Sequence, residues 1–316
     1  MARKILFKYF IGALWLSFSN SFSFAVYQLF LYSFDLSLLQ INLVNLAFMI
    51  SVFLLEIPTG AFADSFGRGK SVALGAFITA LGFTIYFLSG IFYLFLLAEI
   101  VVALGVCFMS GAMEAWMVDT LRDSGWNKDL RPIYQKEAGF NLIGIMSGAS
   151  LGAWAGNSDL SLPWLLTAIG MMIFAFYSYF VFKDQSSKSK KISLSLAPIK
   201  KVAKESLHYG FRHKEIFSVI VFSSILTISF QAFNMQWNLL LSTHNVEVFK
   251  MGWIFAGISL ALYLGSQVAV FLAKPFKSEK LSIVFLQLIT ALAMILAASF
   301  ASLLGILSFF LLHEFG

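Results

Sequence analysis

Three carboxylates lie inside long apolar runs, and they are the residues best placed to do chemistry. Glu56 ends the run that begins near Ile41; Glu99 stands near the start of the run from Phe92, and Glu114 near its end. A charge at the centre of a bilayer costs about 2.5–3.5 kcal/mol, so an acid there is a functional candidate by default. Desolvation favours the neutral form of a carboxyl and water favours the ionised form. An acid that alternates between the two surroundings can therefore carry a proton. Glu56 precedes Asp64 by eight residues, about 12 Å of helix, and is the deepest of the three. Glu99 and Glu114 are fifteen residues apart, so about 60° apart around a helix axis, which would give that helix one wet face. A hydrogen bond to a neighbouring helix, or reach to the interface, would account for each acid equally well.

A second set of polar residues consists of amides and hydroxyls. The first apolar run contains Ser17, Ser19, Asn20, Ser21, Ser23 and Gln28, and a later one contains Gln231, Asn234, Gln236 and Asn238 around Trp237. Such groups suit a polar or amphipathic solute, and they also serve as interhelical glue. A third set, Asp119 and Asp123 followed by Asp129, has the look of a Mg²⁺–diphosphate site such as membrane prenyltransferases use. Those enzymes need a second acidic loop, whereas the other joints on that side offer only isolated acids: Asp64, Asp184, Glu205, Glu215 and Glu279. Carboxylates and water are the usual surroundings of Mg²⁺, and one cluster falls short of a catalytic pair. There is no Walker A loop, so an ATPase is not expected. The lone Cys107 excludes an internal disulfide framework and a cysteine metal cluster; it reads as a small apolar residue. No cofactor is called for.

The elements that must position these residues follow from composition. The chain is 59% hydrophobic and 12% charged, with mean hydropathy +0.84, where soluble domains carry about 25% charged residues. A spanning helix needs about 20 apolar residues. By that measure nine spans and the start of a tenth are expected, at roughly 10–31, 41–63, 71–90, 92–118, 138–156, 162–182, 216–241, 251–273, 281–299 and 302 onward. The first is too long for a signal-peptide core and is read as retained. Lys250 excepted, each of the 22 Lys and Arg residues falls in the N-terminal tail or an even-numbered joint. The positive-inside rule then puts the N-terminus and those joints in the cytoplasm. The net charge of +6 is thereby assigned to the membrane face, and no nucleic-acid partner is implied. Residues 183–215 form the one long polar segment, dividing 1–182 from 216–316. Within it Ile199, Val202, Ala203, Ser206, Leu207 and Phe211 recur at helical spacing beside Lys200, Lys201 and Lys204. This is either an amphipathic helix on the inner leaflet or a solvated basic linker.

The joint between the second and third spans carries Gly60, Asp64, Gly67 and Arg68 in the pattern Gly-x-x-x-Asp-x-x-Gly-Arg. This resembles the loop motif of the major facilitator superfamily. Ser65 and Gly69 stand where family members usually have bases, and Lys70 follows one step later. The resemblance implies an all-α polytopic membrane protein: a major facilitator type helical bundle with about 9–10 of 12 transmembrane helices present and the N-terminus cytoplasmic. The halves would be a six-helix N-terminal half (1–182), a cytoplasmic basic linker (183–215) and an incomplete C-terminal half (216–316). A truncated sequence is expected on that count. The implied function is secondary transport of a small solute by alternating access, as a proton-coupled antiporter for efflux, with nutrient uptake as the alternative. It would act as a monomer in the bilayer of the plasma (inner) membrane. The first and seventh helices of this fold line the central cavity, which makes Asn20, Gln28, Gln231, Asn234 and Gln236 candidate solute contacts, with Glu56, Glu99 and Glu114 on the proton pathway. Gly60, Asp64, Gly67, Arg68 and Asp119 would form a conformational latch that stabilises the outward-open state. The stretch Gly111, Glu114, Trp116 and Asp119 is similar to the drug-efflux branch. Gly144, Gly148, Gly152 and Gly156 lack the proline usual in the antiporter motif and read as a helix-packing groove.

Overall fold

A computed structural model of the chain describes residues 1–183, 235–273 and 279–299, with short pieces at 212–213, 216–218, 221, 231, 305–308 and 311–312. Regular structure among the described residues is α-helical. The helices are α1 (Ala2–Asn20), α2 (Tyr27–Tyr32), α3 (Leu38–Phe66), α4 (Arg68–Leu88), α5 (Phe92–Met109), α6 (Ala112–Asp123), α7 (Arg131–Gly156), α8 (Leu162–Val181), α9 (Trp237–Thr243), α10 (Val248–Ala273) and α11 (Glu279–Ser299). Among the described residues five stretches are long and apolar enough to cross a membrane: Leu38–Phe66, Arg68–Leu88, Phe92–Asp123, Leu162–Val181 and Val248–Val268. The amphipathic pattern at 199–211 and Asn234 lie outside the described residues.

Two expected spans are interrupted. The first, drawn at 10–31, starts at Ala2 and stops at Asn20, and the chain turns before α2. Its serines explain the stop: Ser21 donates its hydroxyl to the Ser17 carbonyl at 2.5 Å, while Phe24 and Val26 make tight backbone bonds to Ser21 and Ser23. Small hydroxyl residues offer the backbone such alternatives to helix. The fourth, drawn as continuous at 92–118, breaks at Ser110–Gly111, where Gly111 has φ +62 and α6 begins. That left-handed conformation disfavours any side chain. α7 starts seven residues earlier than the expected 138, at Arg131, with Pro132 in its first turn, where a proline costs no helical hydrogen bond.

The chain divides into two compact units, one of Met1–Gly12, Gln28–Asp129 and Trp164–Leu239, the other of Ala13–Tyr27, Leu130–Pro163 and Leu240–Gly316. In the first, α5 packs against both α3 and α4. α3 opens with a capping box in which the Gln40 amide donates to the Ser37 hydroxyl oxygen and the Ser37 amide donates to the Gln40 side chain. The helix leaves Leu39, Leu43, Leu46, Ile50, Phe53 and Leu54 exposed, an apolar face suited to lipid. A single residue, Gly67 at φ 109, joins α3 to α4. In the second unit α7 packs against α10 and against the 13–27 stretch.

Gly69, one of the departures from the family motif, has a structural reason. A Cβ there would collide with the backbone carbonyl of Phe182, just past the end of α8. Overpacking of this kind costs about 1–3 kcal/mol. Gly69→Ala is therefore expected to lower the thermal midpoint in detergent by several degrees. Gly60→Ala, where a Cβ would meet nothing within 4 Å, should leave it nearly unchanged. Equal midpoints for the two variants would remove this explanation.

Candidate functional site

Glu56 projects from α3 two residues before Pro58, which lies inside that helix. Its side chain is exposed and accepts a hydrogen bond from the Ser110 hydroxyl at 2.7 Å. Ser110 is the C-cap of α5, at the break between α5 and α6. The Cys107 thiol, one turn back, reaches the Val52 carbonyl at 3.7 Å and also interacts with the Glu56 carboxyl. No Lys or Arg occurs within Leu38–Phe66 or Phe92–Met109; among the described residues the side-chain partners of this carboxyl are a hydroxyl and a thiol.

Glu99 is different. It is only 6% exposed and accepts a 2.6 Å hydrogen bond from the Tyr86 hydroxyl of α4. The Tyr86 ring lies flat on Trp164 of α8, with centroids 4.1 Å apart and planes 8° apart. Phe30 of α2 and Phe95 of α5 pack against the same rings. The acid is thus sealed in an aromatic cluster joining four helices. Glu114 stands apart from both, half-buried in the first turn of α6, where the helix dipole favours an anion. The idea of one wet face shared by Glu99 and Glu114 fails, because the break at Gly111 separates the helices that carry them.

The amides divide in the same way. Gln28 is buried; its carbonyl accepts from the Asn238 amide at 2.6 Å and its own amide donates to the Met235 sulfur at 3.7 Å. Gln231 donates to Asn45 of α3 at 2.9 Å. These pairs join residues of the first and second spans to residues near the seventh. Asn20, the last residue of α1, and Gln236, in the turn before α9, are half-buried.

At the other end of α3, Arg68 reaches two acids. Its guanidinium lies 3.0 Å from Asp119 of α6 and 3.5 Å from Asp64 of α3. Asp64 and Asp119 are more than half exposed, so each contact is worth about 0–1 kcal/mol. Gly67 supplies the turn that lets Arg68 lie beside both. In the second unit, the groove of Gly144, Gly148 and Gly152 is filled by the backbone of α1 and the turn after it, at Leu14, Phe18 and Phe22. One turn before Gly144 on α7, Asn141 accepts from the Ser17 hydroxyl at 2.9 Å.

Several of these partners escape inspection of the sequence. Asn45 and Tyr86 are polar groups in the middle of apolar runs, and that isolation is their only signal. Ser110 is marked only by the glycine that follows it. Glu137 is 8% exposed within α7, one residue before the expected start of the fifth span at 138.

The comparisons with known proteins agree with this helical arrangement. The model of the Major Facilitator Superfamily matches residues 9–316. YxaM of Bacillus subtilis (strain 168), an uncharacterized MFS-type transporter, is 25% identical over 232 residues, which cover 73% of this chain and 57% of that protein. The match thus spans little more than half the length of that relative. Among solved structures, a variant of the nucleoside transporter NupG has a TM-score of 0.76 at 15% identity, covering 100% of this chain and 78% of that one. The human organic anion transporter MFSD10 has 0.68 at 15%, covering 99% and 82%. A D-xylose–proton symporter has 0.59 at 17%, covering 99% and 79%. With a family model matched over nearly its whole length and these folds superposing on it, the chain belongs to the Major Facilitator Superfamily.

Proposed function

We propose that this protein is a secondary transporter that moves a small polar solute across the membrane by alternating access, with Glu56 carrying the coupling proton and efflux as the direction. The observation that carries the reading is the Glu56 carboxyl itself: exposed, ten residues from the end of α3, and held by a single hydroxyl and a thiol. Proton-coupled and solute-specific transporters occur among its structural neighbours, which supports the class and leaves the solute open. The solute would meet amides such as Asn20 and Gln236, whereas Gln28 and Asn238 are engaged with each other in this conformation. The halves 1–182 and 216–316, working as a monomer in the plasma (inner) membrane, would rock about a site near the bilayer midplane.

The test is a panel of polar and amphipathic solutes added to everted membrane vesicles, with proton movement followed by a pH-gradient dye. A solute-dependent collapse of the gradient that requires this protein supports proton-coupled transport. Solute flux that leaves the gradient untouched across the panel would remove the coupling claim.

Orientation is tested separately. From the distribution of basic residues we expect the N-terminus inside. In a Cys107→Ala background, a cysteine at Asn157 should react with an impermeant maleimide added outside intact cells, and one at Ser187 should not. The reverse pattern would invert the topology.

A further inference from the structure

Two neighbouring helical spans each carry a weak point, a proline within unbroken α3 and a break between α5 and α6. α3 contains Pro58, which cannot donate to the Leu54 carbonyl and so removes a helical hydrogen bond. Thr59 turns its hydroxyl back onto the Leu55 and Glu56 carbonyls at 2.8 and 3.1 Å. Across from it, the fourth span breaks at Ser110–Gly111. The Glu56–Ser110 hydrogen bond, between residues 54 positions apart, joins the turn before Pro58 to the break in the fourth span. Beyond them, toward the Arg68 end, run Pro58–Phe66 of α3 and the whole of α6. These two segments are tied to each other at their far end by Arg68, through Asp64 and Asp119.

From this we infer that Pro58–Phe66, Arg68 and Ala112–Asp123 swing as one piece about paired hinges at Pro58 and Ser110–Gly111, and that the Glu56–Ser110 hydrogen bond is the proton-sensitive pin between the hinges. Ser110 is then a positioning residue for Glu56. A hydroxyl donating to an ionised carboxylate makes a charge-assisted bond, roughly twice as strong as its neutral counterpart. Protonation weakens the pin, and the piece is released. Among the described residues, the titratable and charged groups of the elements packed here include Cys107 on α5, which interacts with the same carboxyl, Glu114 in the first turn of α6, and the Arg68 cluster at the far end of the piece. In this conformation the Arg68–Asp119 pair coexists with the Gln28–Asn238 contact. In this proposal the pair acts as a strut within the piece, and the hinges supply the movement. The inference rests on the reading of Glu56 as the proton carrier.

The experiment measures spin-label distances by pulsed electron resonance on the purified protein in lipid nanodiscs, in a Cys107→Ser background that keeps a hydrogen-bond donor beside Glu56, at mildly acidic and mildly alkaline pH. Labels replace Lys8 and Asp123 to report the swing, and Phe66 and Asp123 to report the rigidity of the piece. Acidification should change the ratio of the two Lys8–Asp123 distance populations at least ~3-fold, with the Phe66–Asp123 distance constant. Ser110→Ala should hold the acidic distribution at both pH values, and Ser110→Thr, which keeps the hydroxyl, should restore the response. Ser110→Ala responding to pH as the parent does, or a Phe66–Asp123 distance that changes along with the other, would overturn the inference. If Ser110→Ala fails in this way while Glu56→Gln still abolishes proton-coupled flux, the pin is wrong and the functional reading stands. If Ser110→Ala freezes the swing while Glu56→Gln transports normally with protons, the hinge stands and the proton carrier lies elsewhere.

Discussion

Glu56→Gln is expected to lose gradient-driven transport while still equilibrating solute down its own gradient. Glutamine keeps the size of the side chain and can still accept the Ser110 hydroxyl, so the 2.7 Å contact has a replacement. What it cannot do is change charge. Coupling free energies between two sites are typically about 1–3 kcal/mol, or ~5–150-fold. Accumulation against a gradient should accordingly fall by ~10-fold or more, with solute counterflow reduced no more than about twofold. The comparison that decides is accumulation against counterflow in the same vesicles at matched protein levels. Glu99 and Glu114 provide the controls. Glu99 is bonded to Tyr86 within an aromatic cluster, so Glu99→Gln should mainly affect stability. Normal proton-driven accumulation by Glu56→Gln would eliminate Glu56 as the carrier and make Glu114, the half-buried acid at the start of α6, the next to test.

Arg68→Glu should cripple transport without preventing membrane insertion. Deleting the guanidinium alone removes two exposed ion pairs worth about 0–1 kcal/mol each, so Arg68→Ala should be mild. Charge reversal goes further, because it places a third carboxylate between Asp64 and Asp119, which lie 3.5 and 3.0 Å from the guanidinium in the parent protein. Like charges brought this close repel in their own right. The strut becomes a repulsive cluster, and the α3–α4 joint loses its hold on α6. Combining Arg68→Glu with Asp119→Arg restores the longer-range pair and leaves the repulsion with Asp64. Recovery should therefore be partial. We expect a fall of ~10-fold for the single variant and a return to within ~3-fold of the parent for the double, if the coupling between the two sites lies in the usual range. Transport rates normalised to the amount of protein in the membrane, in high and low salt, provide the readout. A double variant no better than the single would dissolve the pairing as a functional element.

The class of fold was legible without coordinates, for a simple reason. Whether a segment leaves water depends on its own composition summed over about 20 residues, and the loop motif of Gly60, Asp64, Gly67 and Arg68 is local. The pairing of Arg68 with an acid at the foot of the fourth span was within reach because the motif carries the expectation. The interruptions in the first and fourth spans were harder to see. Serines and a Ser-Gly pair do not lower hydropathy enough to break an apolar run, yet hydroxyl-to-carbonyl bonding and a left-handed glycine do break the helix. Apart from that motif, side-chain partners were not legible. Glu56 with Ser110, Glu99 with Tyr86 and Gln28 with Asn238 lie 54, 13 and 210 residues apart, and periodicity cannot report which face of one helix meets which face of another. The sequence by itself determined that these acids and amides lie in apolar runs. Only the tertiary structure decided that Glu99 is sealed among aromatic rings, that Gln28 and Asn238 are spent on each other, and that Glu56 meets Ser110 at the break between α5 and α6, because helix rotation and packing act over a few ångströms and composition does not.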